Sequence, residues 1–247
     1  MSLTVTQNNI IKQAVLLIEK QGLASFCFTK LANLTNYSKT TLYDSFANKE
    51  DVICGIFISN MDDIMKFNRA LENTSNLTTK EKLLCLYMFE VIRAWCCKDA
   101  SLKVNFIATN QYIWHHASKD TISHLAKCFR SRRIDRQNFW QQALDSGELQ
   151  ATTNSIRDIS KTLLIIQRGA VVVAHNEMMQ DNDNINNCEH IATEMERIFD
   201  RLSWTATQPY CDIKRALRVI YDYLGIDDIP NEKVTLDPLK IEMLEFS

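Results

Sequence analysis

Apolar residues recur along this chain at three- and four-residue spacing, the period of an α-helix that buries one stripe. In residues 7 to 20 the stripe is Ile10, Ala14, Leu17 and Ile18, and Gly22 supplies the stop. A short helix over about residues 27 to 34 turns Phe28, Leu31 and Ala32 inward and Thr29 and Lys30 outward. Thr35-Asn36-Tyr37 then makes a tight turn, since Asn tolerates positive φ nearly as well as Gly. Ser38 caps a third helix of about two turns, with Leu42 and Phe46 inside and Lys39, Thr40, Tyr43 and Asp44 outside. Asn48 caps a fourth, which opens Lys49-Glu50-Asp51 and runs to about residue 69.

A polar stretch over residues 72 to 79 is the clearest break, with Thr79 capping the next helix. Helices are then predicted over residues 80 to 98, 102 to 115, 120 to 146, 155 to 175, 185 to 204 and 210 to 224. The first of these has an apolar stripe wide enough to be packed on all sides; that over 120 to 146 stops at Gly147. The tail containing Pro230 and Pro238 reads as irregular, and no repeat is found. With only five Gly and three Pro to punctuate strands, the fold class is all-α. The expected division is a helix-turn-helix domain at residues 1–60, a larger helical domain at 61–225 and an irregular extension at 226–247.

The 247 residues are 46% hydrophobic and 23% charged, an ordinary globular composition. No apolar run is long enough for a membrane span and the N-terminus lacks a secretion signal, so a cytoplasmic protein is expected. Eight scattered cysteines without a C-x-x-C read as reduced, mostly buried thiols. The formal charge is −2, and residues 1–60 carry five Lys against four acidic residues. That balance predicts few phosphate contacts per subunit, so two subunits acting together are needed.

Two short helices joined by a three-residue turn and braced by a longer first helix form a helix-turn-helix, whose second member enters the major groove. The ordered set Leu31-Ala32, Asn36-Tyr37-Ser38, Leu42-Tyr43, Phe46 and Asn48-Lys49-Glu50 resembles the tetracycline-repressor (TetR) family of transcription regulators over about residues 8 to 60. The resemblance implies a homodimer on a palindromic double-stranded DNA operator, and a ligand-responsive repressor. Its DNA-binding residues would be Thr29, Ser38, Lys39, Thr40, Thr41, Tyr43 and Lys49. It also implies a small-molecule effector pocket among Tyr87, Trp95, Phe106, Tyr112, Trp114 and Phe129. The dimer interface would hold Leu163, Gln167, Val171, Met195, Phe199 and Leu202. Asn36 replaces the usual turn glycine, Cys27-Phe28 replaces a hydroxyl pair, and Ser45 stands where His or Tyr is common. The alternative is a helical interaction protein of the same fold that has lost specific DNA binding.

No metalloprotease, phosphate-loop, nucleophile-elbow or dinucleotide motif is present, so neither an enzyme nor a cofactor is expected. The basic run Lys127, Arg130, Arg132, Arg133 and Arg136 reads by default as a solvated face with a few ion pairs. An anionic effector is the sharper alternative.

Overall fold

Side-chain caps start most of the helices. The computed structural model describes residues 3–97, 101, 102, 104, 110–176, 188–205 and 211–226. In α1 (Val5–Gln21) Thr4 and Gln7 form a capping box, each side chain accepting from the other's N–H at 3.1 and 3.0 Å. The helix ends at Gly22, φ 77°, a conformation that side chains disfavour. α2 (Phe28–Leu34) begins at Cys27, which makes no capping hydrogen bond. α3 (Lys39–Ser45) and α4 (Lys49–Glu72) start as the sequence predicts: Ser38 accepts from the Thr41 N–H at 3.1 Å, and Asn48 from the Asp51 N–H at 2.9 Å.

The first four helices share a core of Ile10, Ala14, Leu31, Leu42, Phe46 and Val52. A Cβ at Gly55 would lie 2.9 Å from Ile11 Cδ1 and 3.1 Å from Phe46 Cε1, so the bare backbone there lets both side chains close on α4. α4 is continuous past residue 60, and the boundary expected there falls within one helix.

α5 (Thr79–Cys96) is capped by Thr78, one residue before the expected cap, and every residue from Leu83 to Ala94 is buried. It is the axis on which α4, α7 (Lys119–Asp145), α8 (Thr153–Ala174), α9 (Cys188–Phe199) and α10 (Ile213–Leu224) pack. The helix expected over residues 102 to 115 is interrupted: residues 101, 102 and 104 are helical, and Asn110 caps a separate α6 (Gln111–His116). Two strands that periodicity could not show, β1 (Leu149–Gln150) and β2 (Ser203–Trp204), pair antiparallel. Their pairing claims residues 203 and 204 and ends α9 at Phe199 rather than at the expected 204.

α10 lays Ala216, Leu217, Ile220 and Tyr221 into the subunit core. Its start is tied to α5 through Glu81, which accepts from the Asp212 N–H at 2.8 Å and takes the Arg215 guanidinium. All eight cysteines are free. Cys54, Cys85, Cys128 and Cys188 are buried as expected, and burial pushes the Cys54 thiol up to about 12, so it is an inert apolar filler. No described helix is long and apolar enough to cross a membrane.

Candidate nucleic-acid interface

The outer face of α3 presents Lys39, Thr40 and Tyr43, all exposed, with Thr29 and Lys30 of α2 exposed as well. Ser38 and Thr41 serve the helix start itself, their hydroxyls 2.9 Å apart, with Thr41 half-buried. Tyr43 does two things. Its ring meets Phe28 of α2 edge-on at 4.8 Å, which bridges the two short helices, yet the residue remains 56% exposed. An aromatic anchored at its ring and open at its rim is a hydroxyl donor held in place. Lys49 is exposed and only loosely paired, 3.9 Å from Glu50. A short helix with lysine and hydroxyl groups on its free face, held from behind by Leu42 and Phe46, has the chemistry for phosphate and base-edge contact.

This face is fastened to the larger domain by two side chains that the sequence marks only as a helix start. Asp51 is buried and its carboxylate accepts from the Ala47 N–H at 3.1 Å and from the Ser118 N–H at 2.7 Å. Asn48, besides capping α4, donates from Nδ2 to the His116 carbonyl at 3.0 Å. The α3–α4 turn and the α6–α7 turn are thereby pinned together across 67 residues of sequence. The tertiary partner was invisible because an acidic residue in the first turn of a helix is explained locally by the helix dipole.

The larger domain holds a second feature. A cleft of about 570 Å³ opens between α7 and α8, with Tyr87 of α5 at its inner wall. Arg133, Arg136, Arg157 and Lys161 line it, and among the described residues no carboxylate does. Behind it, Glu90 Oε1 lies 2.8 Å from Arg132 Nη1, both residues buried, while neither carboxylate oxygen has an aligned hydrogen-bond donor among the described residues. Burial would raise the Glu90 carboxyl, but the guanidinium groups of Arg132, Arg168 and Arg136 outweigh it and hold the group below its ordinary range. Arg136 and Arg168 in turn are lowered, first by desolvation. Arg132 therefore corrects the solvated-face reading of the basic run: its side chain points into the core because Glu90 on α5 is there to receive it.

No protein-family model matches the sequence, and no curated protein matches it. Solved structures do match in shape. A regulatory protein of the TetR family from Rhodococcus RHA1 superposes with a TM-score of 0.55 at 14% identity, covering 82% of this chain and 99% of that one. The SmeT–triclosan complex gives 0.57 at 16% identity, with 85% and 97% covered. AibR bound to isovaleryl coenzyme A and operator DNA gives 0.53 at 16% identity, with 77% and 95% covered. The chain has the TetR-family fold. Identity this low carries architecture and leaves function to be argued from the site.

Within this TetR fold the side chains expected around an effector divide. Tyr87 is buried and lines the cleft. Trp114 meets Phe129 edge-on at 5.5 Å, and Phe129 meets Phe57 at a tilt at 5.1 Å, an aromatic chain joining α6, α7 and α4. Trp95 is half-buried against the core. Tyr112 is 78% exposed and points away from any interior pocket, because it occupies the first, outward-facing turn of the short α6. Phe106 lies outside the described residues.

The residues expected at a dimer interface divide as well. Leu163, Gln167, Met195 and Phe199 are fully buried inside the single TetR-fold subunit, where α8 and α9 pack on α5, so their side chains offer no surface to a partner. Val171 and Leu202 are only half-buried. Among the other apolar positions of α8, Ile165 is 72% exposed, Gly169 one turn later is exposed with nothing among the described residues within 4 Å of a Cβ placed there, and Val172 and Val173 are half-buried like Val171.

Proposed function

We propose that this chain is a sequence-specific DNA-binding transcription regulator that acts as a homodimer on a palindromic operator and releases it in response to a small molecule. The observation that carries the reading is the free face of α3, where Lys39, Thr40 and Tyr43 stand exposed on a helix held by the core behind it. AibR, of the same fold, is known with operator DNA and an acyl-coenzyme A together, which supports joining the two activities in one chain. The clamp of Asn48 and Asp51 onto residues 116 and 118 gives the larger domain a direct hold on the orientation of α3.

A mobility shift on the DNA upstream of the chain's own gene tests this. Lys39→Ala is expected to weaken binding by about 1–3 kcal/mol if the lysine reads a base edge, and to reduce the salt slope by about 1 if it holds a phosphate. Tyr43→Phe removes one hydroxyl and should cost about 1 kcal/mol while leaving the Phe28 contact and the fold intact. If no operator-like fragment shows a salt-sensitive shift, the second reading stands: an interaction protein of this fold, which the near-neutral first 60 residues also allow.

Ile165 and Gly169 support a dimer formed through the outer face of α8, since an exposed isoleucine beside a bare backbone position suits close helix packing across a two-fold axis. Ile165→Arg should leave the subunit folded, as nothing in its own core depends on that side chain, and should shift light-scattering mass from dimer to monomer. A wild-type monomer at micromolar concentration would rule the dimer out.

A further inference from the structure

Among the described residues the cleft between α7 and α8 is lined by four cationic side chains and no anionic one, although the chain as a whole carries a formal charge of −2. Among those residues, too, no carboxylate is in ion-pair contact with Arg133, Arg136 or Arg157, and Lys161 reaches only Asp158 on its own exposed helix face, at 3.6 Å. Deeper in, the buried carboxylate of Glu90 pairs with the buried guanidinium of Arg132 at 2.8 Å. Arg133 and Arg136 of α7 and Arg157 and Lys161 of α8 put positive charge on both walls of the cleft, all of them exposed except the half-buried Arg136. At the inner wall Tyr87 is wholly buried and its hydroxyl has no hydrogen-bond partner among the described residues, although it borders the cleft. Buried polar groups are normally paired, so an orphan at the wall of an open cleft points to a missing ligand atom.

The rest of the lining includes an apolar wall of Trp140, Leu144, Ile156 and Leu164. We propose that this cleft binds an amphipathic organic acid, with its acid group on Arg133, Arg136 and Arg157 and its apolar body against Trp140 and Leu164. Planar guanidinium groups suit the two oxygens of an acid headgroup, and the volume suits a ligand of ordinary metabolite or drug size. Such a ligand would be the effector of the proposed function, and only its regulatory consequence rests on that reading.

Calorimetry on the full chain tests it without DNA. Decanoate and 8-anilinonaphthalene-1-sulfonate serve as acid probes and decanol as the uncharged control. The acids should bind at one site and weaken with added salt, and decanol should bind at least about tenfold more weakly than decanoate. Arg136 is half-buried beside Arg132, so its removal risks the fold. The variant of choice is Arg133→Gln with Arg157→Gln, both exposed, which should lower acid affinity about tenfold or more with an unchanged melting temperature. Equal binding of decanol and decanoate, no binding of either acid at millimolar concentration, or an unchanged affinity in the double variant would each overturn the proposal. A mobility shift that survives such a result would leave the DNA reading standing, whereas acid binding without any shift would sustain the cleft and remove the regulatory reading.

Discussion

Replacing Glu90 by Gln is expected to destabilise the chain by about 3–5 kcal/mol, the cost of stripping one partner from a buried ion pair. Gln keeps the volume and removes the charge, so the loss reports electrostatics and not a cavity. Arg132 would be left buried near Arg136 and Arg168 with no carboxylate among the described residues paired to it. For a chain of this size each kcal/mol moves the melting temperature by about 2–4 °C, so the drop should be on the order of 10 °C at neutral pH, read by circular dichroism. The pH dependence comes from the direction of the shift. Glu90 is held below its ordinary value of 4.5 in the folded chain, so its contribution is fully present above that value and is lost as pH falls through the lower folded one. The gap between wild type and Glu90→Gln should therefore be constant from neutrality down to about pH 5 and close in more acidic solution. Equal melting temperatures at pH 7 would show that the cluster is not held by this charge.

Ending the chain after Trp204 is expected to abolish cooperative folding. The truncation removes Leu217, Ile220 and Tyr221, all at or below 4% exposure, and opens the face of α5 that they cover. Each such side chain contributes about 1.5–3 kcal/mol on burial, so their sum is comparable with the whole net stability of a typical domain, about 5–15 kcal/mol. Glu81, itself fully buried, would also lose the Asp212 N–H and the Arg215 guanidinium. The measurement is a thermal melt, expected to lose its sigmoidal transition. Leu217→Asp in the full-length chain isolates the contribution of α10 from that of the residues beyond it and should be strongly destabilising by the same route. A truncated chain with an unchanged melt would mean that α10 is an accessory and not part of the core.

The cleft and the interface differ in how far the residues alone could locate them. The α3 face was legible because every signal for it is local: a serine cap, a seven-residue helix, two inward apolar residues and outward lysine and tyrosine all lie within nine positions. The Arg132–Glu90 pair was not, because its members are 42 positions apart and an arginine in a basic run has the same local pattern whether it points to solvent or to a buried carboxylate. Asp51 shows the same limit: its role in the helix start was readable, its hold on Ser118 was not.

The all-α class, the order of the helices, the helix-turn-helix and most element ends follow from local patterns, since apolar period, caps and stop glycines act through backbone neighbours within a turn or two. The packing of α5 on all sides is legible in the same way, because its apolar stripe is wide. Long-range packing, by contrast, chose which side of a helix with apolar residues on several faces turns inward. On α8 it sent Leu163 and Gln167 to the core and Ile165 outward, and it stopped α9 at Phe199. The reason is physical: where several faces of a helix are equally apolar, local energies do not distinguish them, and the choice falls to packing partners and strand pairings that lie far away along the chain.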